Sequence, residues 1–205
     1  MKLFWSTRSP FVRFVMVVAH EKGVAGQIET EQVVVAAAKP NAAVMAHNPL
    51  NKLPTLVLDD GTALYDSRVI AEHLDEIGSG ARLLPASGAT RRDVMRQTAL
   101  GIGLLDLLVG WLAEHRKPAA EQDAAFNEAM HLKFTAALDV LERESAALAA
   151  RDFDMSHAAI GAALGYADFR YGDIAWRDDR PALAALYETA SARPSFQATG
   201  HRDEY

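Results

Sequence analysis

Three short stretches of this chain carry residue types that can hold an anion, an extended peptide and a free amino-acid end. Ser9 stands directly before Pro10, whose fixed backbone suits a first helical position. Ser9 therefore falls at or beside a helix N-cap, next to backbone N–H groups that have no intrahelical partner. A helix start favours an anion, and a serine hydroxyl can donate a hydrogen bond to a thiolate. A thiol held there would ionise more readily than at its free value of about 8.5. Taken alone, however, Ser9 reads as an ordinary helix cap.

Leu53-Pro54-Thr55 puts a proline at the mouth of an apolar run, where a core strand excludes it except at its first residue or in a cis peptide. A cis bond would turn the N–H and C=O of Leu53 outward, where they could pair in strand fashion with an extended peptide. A strand-opening trans proline is the plain alternative. Asp66-Ser67 precedes a helical pattern, so its hydroxyl and N–H groups suit a ligand carboxylate and its acid a ligand ammonium. In isolation this pair too reads as a cap.

The elements that must position these residues divide the chain in two. Lys2 to Ser6 is a short apolar run, Pro10 opens a helical stretch ending at Gly23, and Ile28 to Val35 reads as a second strand. Asn41 to His47 suggests a short helix or irregular segment. From Leu53 a strand, an Asp59-Asp60-Gly61 turn and a strand through Tyr65 make a hairpin. Val69, Ile70, His73, Leu74 and Ile77 then recur at helical spacing. The order β-α-β, bridge, β-β-α predicts a thioredoxin-like α+β domain over residues 1–78. A linker rich in Gly, Ser and Pro follows, and 88–205 contains helical patterns without a convincing strand: Thr90 to Arg116, Ala119 to Ala150, Ser156 to Gly172 and Pro181 to Ala192. That half is expected to be an all-α bundle.

Composition removes several classes of function. Half the residues are hydrophobic and 23% are charged, as in a globular protein, and the formal charge of -6 leaves no electrostatic footprint for nucleic acid. With no cysteine there is no disulfide, thiol nucleophile or zinc-thiolate site, so sulfur chemistry must use a substrate's sulfur. The histidines lack metal-ligand spacing, and Gly101-Ile102-Gly103 neither follows a strand nor continues into a dinucleotide fingerprint. The Phe14 to Ala19 run is too short and interrupted for a signal peptide, and Ala99 to Ala113, with Asp106 inside it, falls short of the roughly 20 residues a membrane span needs. A cytoplasmic protein with no membrane partner is expected.

Read in order, Ser9-Pro10-Phe11, Asn48-Pro49-Leu50-Asn51-Lys52-Leu53-Pro54 and Asp66-Ser67 occur at the spacings of one family, and Arg193-Pro194-Ser195-Phe196 with Ala198-Thr199 matches its ending. The chain resembles the cytosolic glutathione transferases, of the serine type with an SPF motif, over essentially its whole length. The resemblance implies that the Ser9 hydroxyl bonds the glutathione sulfur, with Thr7 and Ser6 as weaker alternatives. It also implies a cis Pro54, main-chain pairing of Leu53 with the cysteinyl unit, Lys52 near the glycine carboxylate, and Asp66 with Ser67 on the γ-glutamyl end. Phe11 is expected to face both glutathione and the second substrate. The rest of the second-substrate pocket is assigned to Asp106, Trp111, His115, Tyr166 and Phe169 of the helical half.

Glutathione is thus expected as co-substrate, with no metal and a small hydrophobic electrophile as second substrate. Conjugation in a detoxifying role is the leading activity, with isomerisation or peroxide reduction as variants; the absence of cysteine argues against the thiol-transfer branches. A homodimer is expected by resemblance. The rival is the same fold kept as a non-catalytic ligand-binding or partner-docking protein. One departure touches folding: if Ser156 caps its helix, the third position is Ala159, so only half of the usual capping box is present.

Overall fold

A computed structural model of the chain describes residues 1–36 and 38–203. It forms two compact units: Met1–Ala86 together with the segment from Arg193 onward, and Ser87–Ala192. The expected helical domain, 88–205, counted that last segment with the bundle; here it belongs with the first unit, held by Phe196 and by the ion pair of Arg193 with Glu21.

In the first unit, strand β1 (Lys2–Trp5) pairs in parallel with β2 (Glu29–Gln32) across helix α1 (Pro10–Glu21). Strand β3 (Thr55–Val57) runs antiparallel to β1 and β4 (Ala63–Leu64) antiparallel to β3, so the sheet order is β2-β1-β3-β4. This is the thioredoxin-like mixed sheet. Gly61, at φ +87, takes the left-handed place in the β3–β4 turn, and Asp60 Oδ1 accepts from Thr62 N at 2.8 Å. The core is Leu3, Phe4, Phe14, Val15, Val18 and Leu56, joined by Ile70 and Leu74 of α3 (Ser67–Ile77), which packs against α1.

Strand β2 is shorter than the expected Ile28 to Val35. Its partner β1 ends at Trp5, so after Val33 N bonds Trp5 O at 3.1 Å there is no strand left for Val34 and Val35 to pair with. The segment around Asn41 to His47 contains α2 (Ala42–Met45), capped by Asn41 Oδ1.

The second unit consists of α4 (Gly88–His115), α5 (Ala124–Ala149), α6 (Met155–Arg170) and α7 (Pro181–Ser191). Helix α6 is its centre: every residue from Met155 to Ala167 is buried. Gly101 lets α4 approach it, because a Cβ there would lie 2.8 Å from the backbone of Ala159 and Ile160. By length and composition alone α4 could cross a membrane. Its Val94, Ile102, Leu105 and Leu108 are instead buried in this unit, as in a core helix.

The start of α6 corrects the capping expectation. The cap is Asp154, not Ser156: Oδ1 accepts from Ser156 N at 2.9 Å and His157 N at 3.3 Å, and the His157 ring reaches back to Asp154 N at 3.2 Å. The box is complete, with histidine where glutamate or glutamine usually stands. Counting from Ser156 missed it because the acid two residues earlier is as good a cap and sets the helix start.

Candidate functional site

The strand registers bring the three motif loops to one end of the sheet. Phe4 lies opposite Thr55 and Leu56 opposite Leu64. Continuing the same pairings past the strand ends sets Ser6 opposite Leu53 and Pro54 opposite Asp66. The loop Ser6 to Ser9, the turn Leu53-Pro54 and the pair Asp66-Ser67 therefore share that end. Helices α1 and α3 both begin there, so two N-termini with their orphan N–H groups face the same region.

Ser9 is the N-cap of α1, with Oγ accepting from Val12 N at 3.3 Å. It is half-buried, as is Phe11 in the first turn. The two neighbouring hydroxyls differ from it in use. Thr7 Oγ1 donates to Arg202 O at 3.0 Å, and Ser6 Oγ accepts from Arg8 N at 3.3 Å within the loop rather than from a helix N–H. Ser9 alone combines an accepted bond from the helix with a hydroxyl hydrogen that meets no acceptor among the described residues.

The Leu53–Pro54 peptide is cis, and among the described residues the main-chain groups of Leu53 form no hydrogen bond. Pro54 is buried, Leu53 half-buried and Lys52 exposed. This turn is braced by a residue to which the sequence reading gave no role, Asn48. Buried at 1% exposure, it donates from Nδ2 to Thr55 Oγ1 at 2.9 Å and Lys52 O at 3.3 Å, and accepts from Leu50 N at 3.1 Å. Asn51 completes the brace in the left-handed conformation, φ 51, bonding Asn48 O at 3.0 Å. The repeated Asn in this stretch was the available signal, since asparagine favours both side-chain turns and left-handed backbone.

Asp66 caps α3, with Oδ1 accepting from Arg68 N at 3.0 Å and Oδ2 paired with Arg68 Nη2 at 3.1 Å. Burial pushes its carboxyl up, but the Arg68 bonds and charge outweigh this and hold it below the usual carboxylate range. It is an anion at neutral pH, with an exposed side chain. Ser67 is buried in the first turn of α3.

The residues proposed from the helical half separate into two groups. Trp111 and Tyr166 are core: Trp111 donates to Asn127 Oδ1 at 2.6 Å with its ring 5.1 Å from that of Tyr171, and Tyr166 is 3% exposed. Asp106 is exposed and Phe169 half-buried, with the Arg170 guanidinium 3.8 Å from its ring. His115, also half-buried, lies 4.5 Å from the Tyr171 ring and 3.2 Å from Asp173 Oδ1. Tyr171, absent from the sequence reading, packs its ring against both His115 and Trp111; its hydroxyl bonds Leu108 O, and burial pushes the phenol well up. Among the described residues no group of acids and histidines could hold a metal ion.

A thioredoxin-like unit followed by an all-helical unit is the architecture of the glutathione transferases. Residues 8–77 match the glutathione S-transferase N-terminal domain. The chain is 32% identical to an uncharacterized GST-like protein of Escherichia coli (strain K12), YibF, over 97% of this chain and 98% of that one. It is 38% identical to a glutathione transferase family member of Pseudomonas fluorescens Pf-5 solved with bound glutathione, with a TM-score of 0.93 and 98% of each chain covered. It is 36% identical to a glutathione S-transferase of Methylobacillus flagellatus solved with glutathione bound, with a TM-score of 0.86, covering 98% of this chain and 99% of that one. This chain belongs to the glutathione S-transferase family.

Proposed function

We propose that this protein is a glutathione transferase that binds glutathione at the Ser9, Leu53 and Asp66 end of its sheet and adds the thiolate to a small hydrophobic electrophile. The observation that carries this is the state of Ser9. Its oxygen accepts from Val12 N, so its hydrogen is left to donate at the start of α1. A thiolate placed there gains a hydrogen bond and the positive end of the helix, both already oriented before reaction. The thiol proton leaves to solvent, sulfur forms the bond to carbon, and a leaving group departs or the neighbouring carbon is protonated.

The other ligand groups have matching partners. The free main chain of Leu53 suits the cysteinyl unit, Lys52 the glycine carboxylate, the ionised Asp66 the γ-glutamyl ammonium, and the α3 start with Ser67 the adjoining carboxylate. The relatives solved with glutathione support the ligand. Phe11, Asp106, His115 and Phe169 are the proposed side chains for the electrophile, and Trp111 and Tyr166 are buried core residues of the helical unit. A cytoplasmic homodimer serving detoxification completes the reading.

Conjugation of an activated aryl halide by wild type and Ser9→Ala tests it. Loss of one preorganised donor to an anion lowers kcat about 10²-fold. Equal rates in the two proteins would remove Ser9 from the mechanism. No rate above buffer in wild type, with glutathione still bound, would make the protein a ligand-binding module.

A further inference from the structure

We infer that residues 201–203 form a strap that positions the Ser9 loop, with Thr7 and Arg8 as positioning residues acting through Ser9; this rests on the reading of Ser9 as the donor to the glutathione sulfur.

The segment from Arg193 to Asp203 holds α1 at both ends. At the C-terminal end of the helix, the Arg193 guanidinium forks onto Glu21, Nε to Oε1 at 2.8 Å and Nη2 to Oε2 at 2.7 Å. Ser195 Oγ joins Oε1 at 2.5 Å. In the short helix α8 (Pro194–Ala198), Phe196 is buried with the Arg13 guanidinium 5.4 Å from its ring. From this anchor the chain reaches the other end of α1. There Thr7 Oγ1 donates to Arg202 O at 3.0 Å, and Arg202 N returns a bond to Thr7 O at 3.4 Å. His201 Nδ1 lies 3.2 Å from the same Thr7 O. Arg8 Nη2 donates to Asp203 O at 3.0 Å, with Nε 3.4 Å from Asp203 Oδ1.

These contacts fall on the two residues immediately before Ser9. Within the loop Ser9 N bonds Ser6 O at 3.1 Å and Arg8 N bonds Ser6 Oγ at 3.3 Å, Ser9 itself is tied to α1 through Oγ to Val12 N at 3.3 Å and O to Arg13 N at 3.1 Å, and all four residues are only half-buried. Donation to a reacting atom requires the hydroxyl to be held within a fraction of an ångström, so contacts that steady the half-buried residues before the cap bear on it. The strap adds a restraint from outside the loop. It also sorts the hydroxyls: by accepting the Thr7 hydrogen, Arg202 O removes Thr7 as a rival donor and leaves the role to Ser9. The Arg8–Asp203 ion pair is exposed and adds little, so the effect resides in the Thr7 and main-chain bonds.

The test compares wild type, a chain ended after Gly200 and Thr7→Val, each also in a Ser9→Ala background. Bound-glutathione thiolate absorbance is followed against pH, together with KM for glutathione and kcat. Loss of the strap should raise KM for glutathione and lower kcat/KM about tenfold, and move the bound thiol's titration to higher pH, as expected for a donor displaced by a fraction of an ångström. In the Ser9→Ala background the same changes should have almost no further effect. A truncated chain with unchanged KM and thiol titration overturns the strap while leaving glutathione binding standing. Equal losses in both backgrounds also overturn it, since they mark general loosening. If the truncated chain does not fold, Thr7→Val, which replaces the hydroxyl by a methyl of similar size, decides on the same readings. A wild type that binds no glutathione removes the functional reading and the strap with it.

Discussion

Two helix starts, one in each unit, use serine in opposite ways. At the start of α6, Ser156 is fully buried: Oγ donates to Asp154 Oδ1 at 2.6 Å and accepts from Arg151 Nη2 at 3.1 Å. Asp154 in turn takes Ser156 N and His157 N and pairs with Arg151 Nη2 at 3.0 Å. The Ser156 hydroxyl and both Asp154 carboxylate oxygens are matched from inside the chain. At the start of α1, Ser9 accepts one long bond, remains half-exposed and keeps its hydrogen. Both serines are cap-type residues in the sequence, and both stand beside the same helix-end electrostatics. What separates a structural polar cluster from a candidate binding site is therefore whether the fold completes it.

If that distinction is real, the two starts should fail in opposite ways. Asp154→Ala leaves two buried N–H groups, a hydroxyl and a guanidinium without their acceptor, so loss of the cap and of charged hydrogen bonds should cost about 3 kcal/mol. The melting temperature should fall by roughly 6–12 °C, while kcat for the remaining folded protein is unchanged. Ser9→Ala should do the reverse, costing about 1 kcal/mol or less in urea denaturation while removing most of the conjugation rate. A catalytic defect in Asp154→Ala at temperatures where it is folded would erase the comparison.

A pH series sharpens it with a smaller effect. Burial pushes the Asp154 carboxyl up, but the Ser156 hydrogen bond and the Arg151 charge, with the His157 ring beside it, hold it below the usual carboxylate range. A carboxyl depressed on folding stabilises the protein fully above its unfolded pKa of about 3.9, and that contribution is lost as pH falls through the lower folded value. The stability gap between wild type and Asp154→Asn should thus be widest at pH 6–7 and narrow below about pH 4. The gap between wild type and Ser9→Ala should stay flat over the same range, since neither side chain there titrates. A gap for Asp154→Asn that widens in acid would invert the assignment.

The sequence made much of this legible, and the reasons it failed elsewhere are physical. The Asp59-Asp60-Gly61 turn, Pro10 at a helix start and the helical periodicities are local signals, and the corresponding elements appear where those signals sit. The length of β2 was not legible, because it is set by where β1 ends rather than by its own valines. Nor does periodicity tell which apolar face of α4 and α6 is core, and Trp111 and Tyr166, expected at a pocket wall, are both buried. The return of residues 201–203 to Thr7 joins points nearly the whole chain apart. Such a contact leaves no pattern in a single sequence.

The smallest effect lies at the third motif. Asp66 caps α3 with one oxygen and holds Arg68 with the other, and both side chains are more than half exposed. An exposed pair of this kind is worth 0–1 kcal/mol, so Arg68→Ala should change stability by less than about 0.5 kcal/mol. The cap bond from Arg68 N survives the substitution because it comes from the main chain. If Oδ2 is the oxygen that meets a ligand ammonium, removing its internal cation makes it more available, and glutathione should bind up to about threefold more tightly by calorimetry, the scale of a surface ion pair. A stability loss above 1 kcal/mol would place Asp66 with Asp154, among the acids that the fold itself completes. Tighter binding at unchanged stability would place it with Ser9, among those a ligand completes.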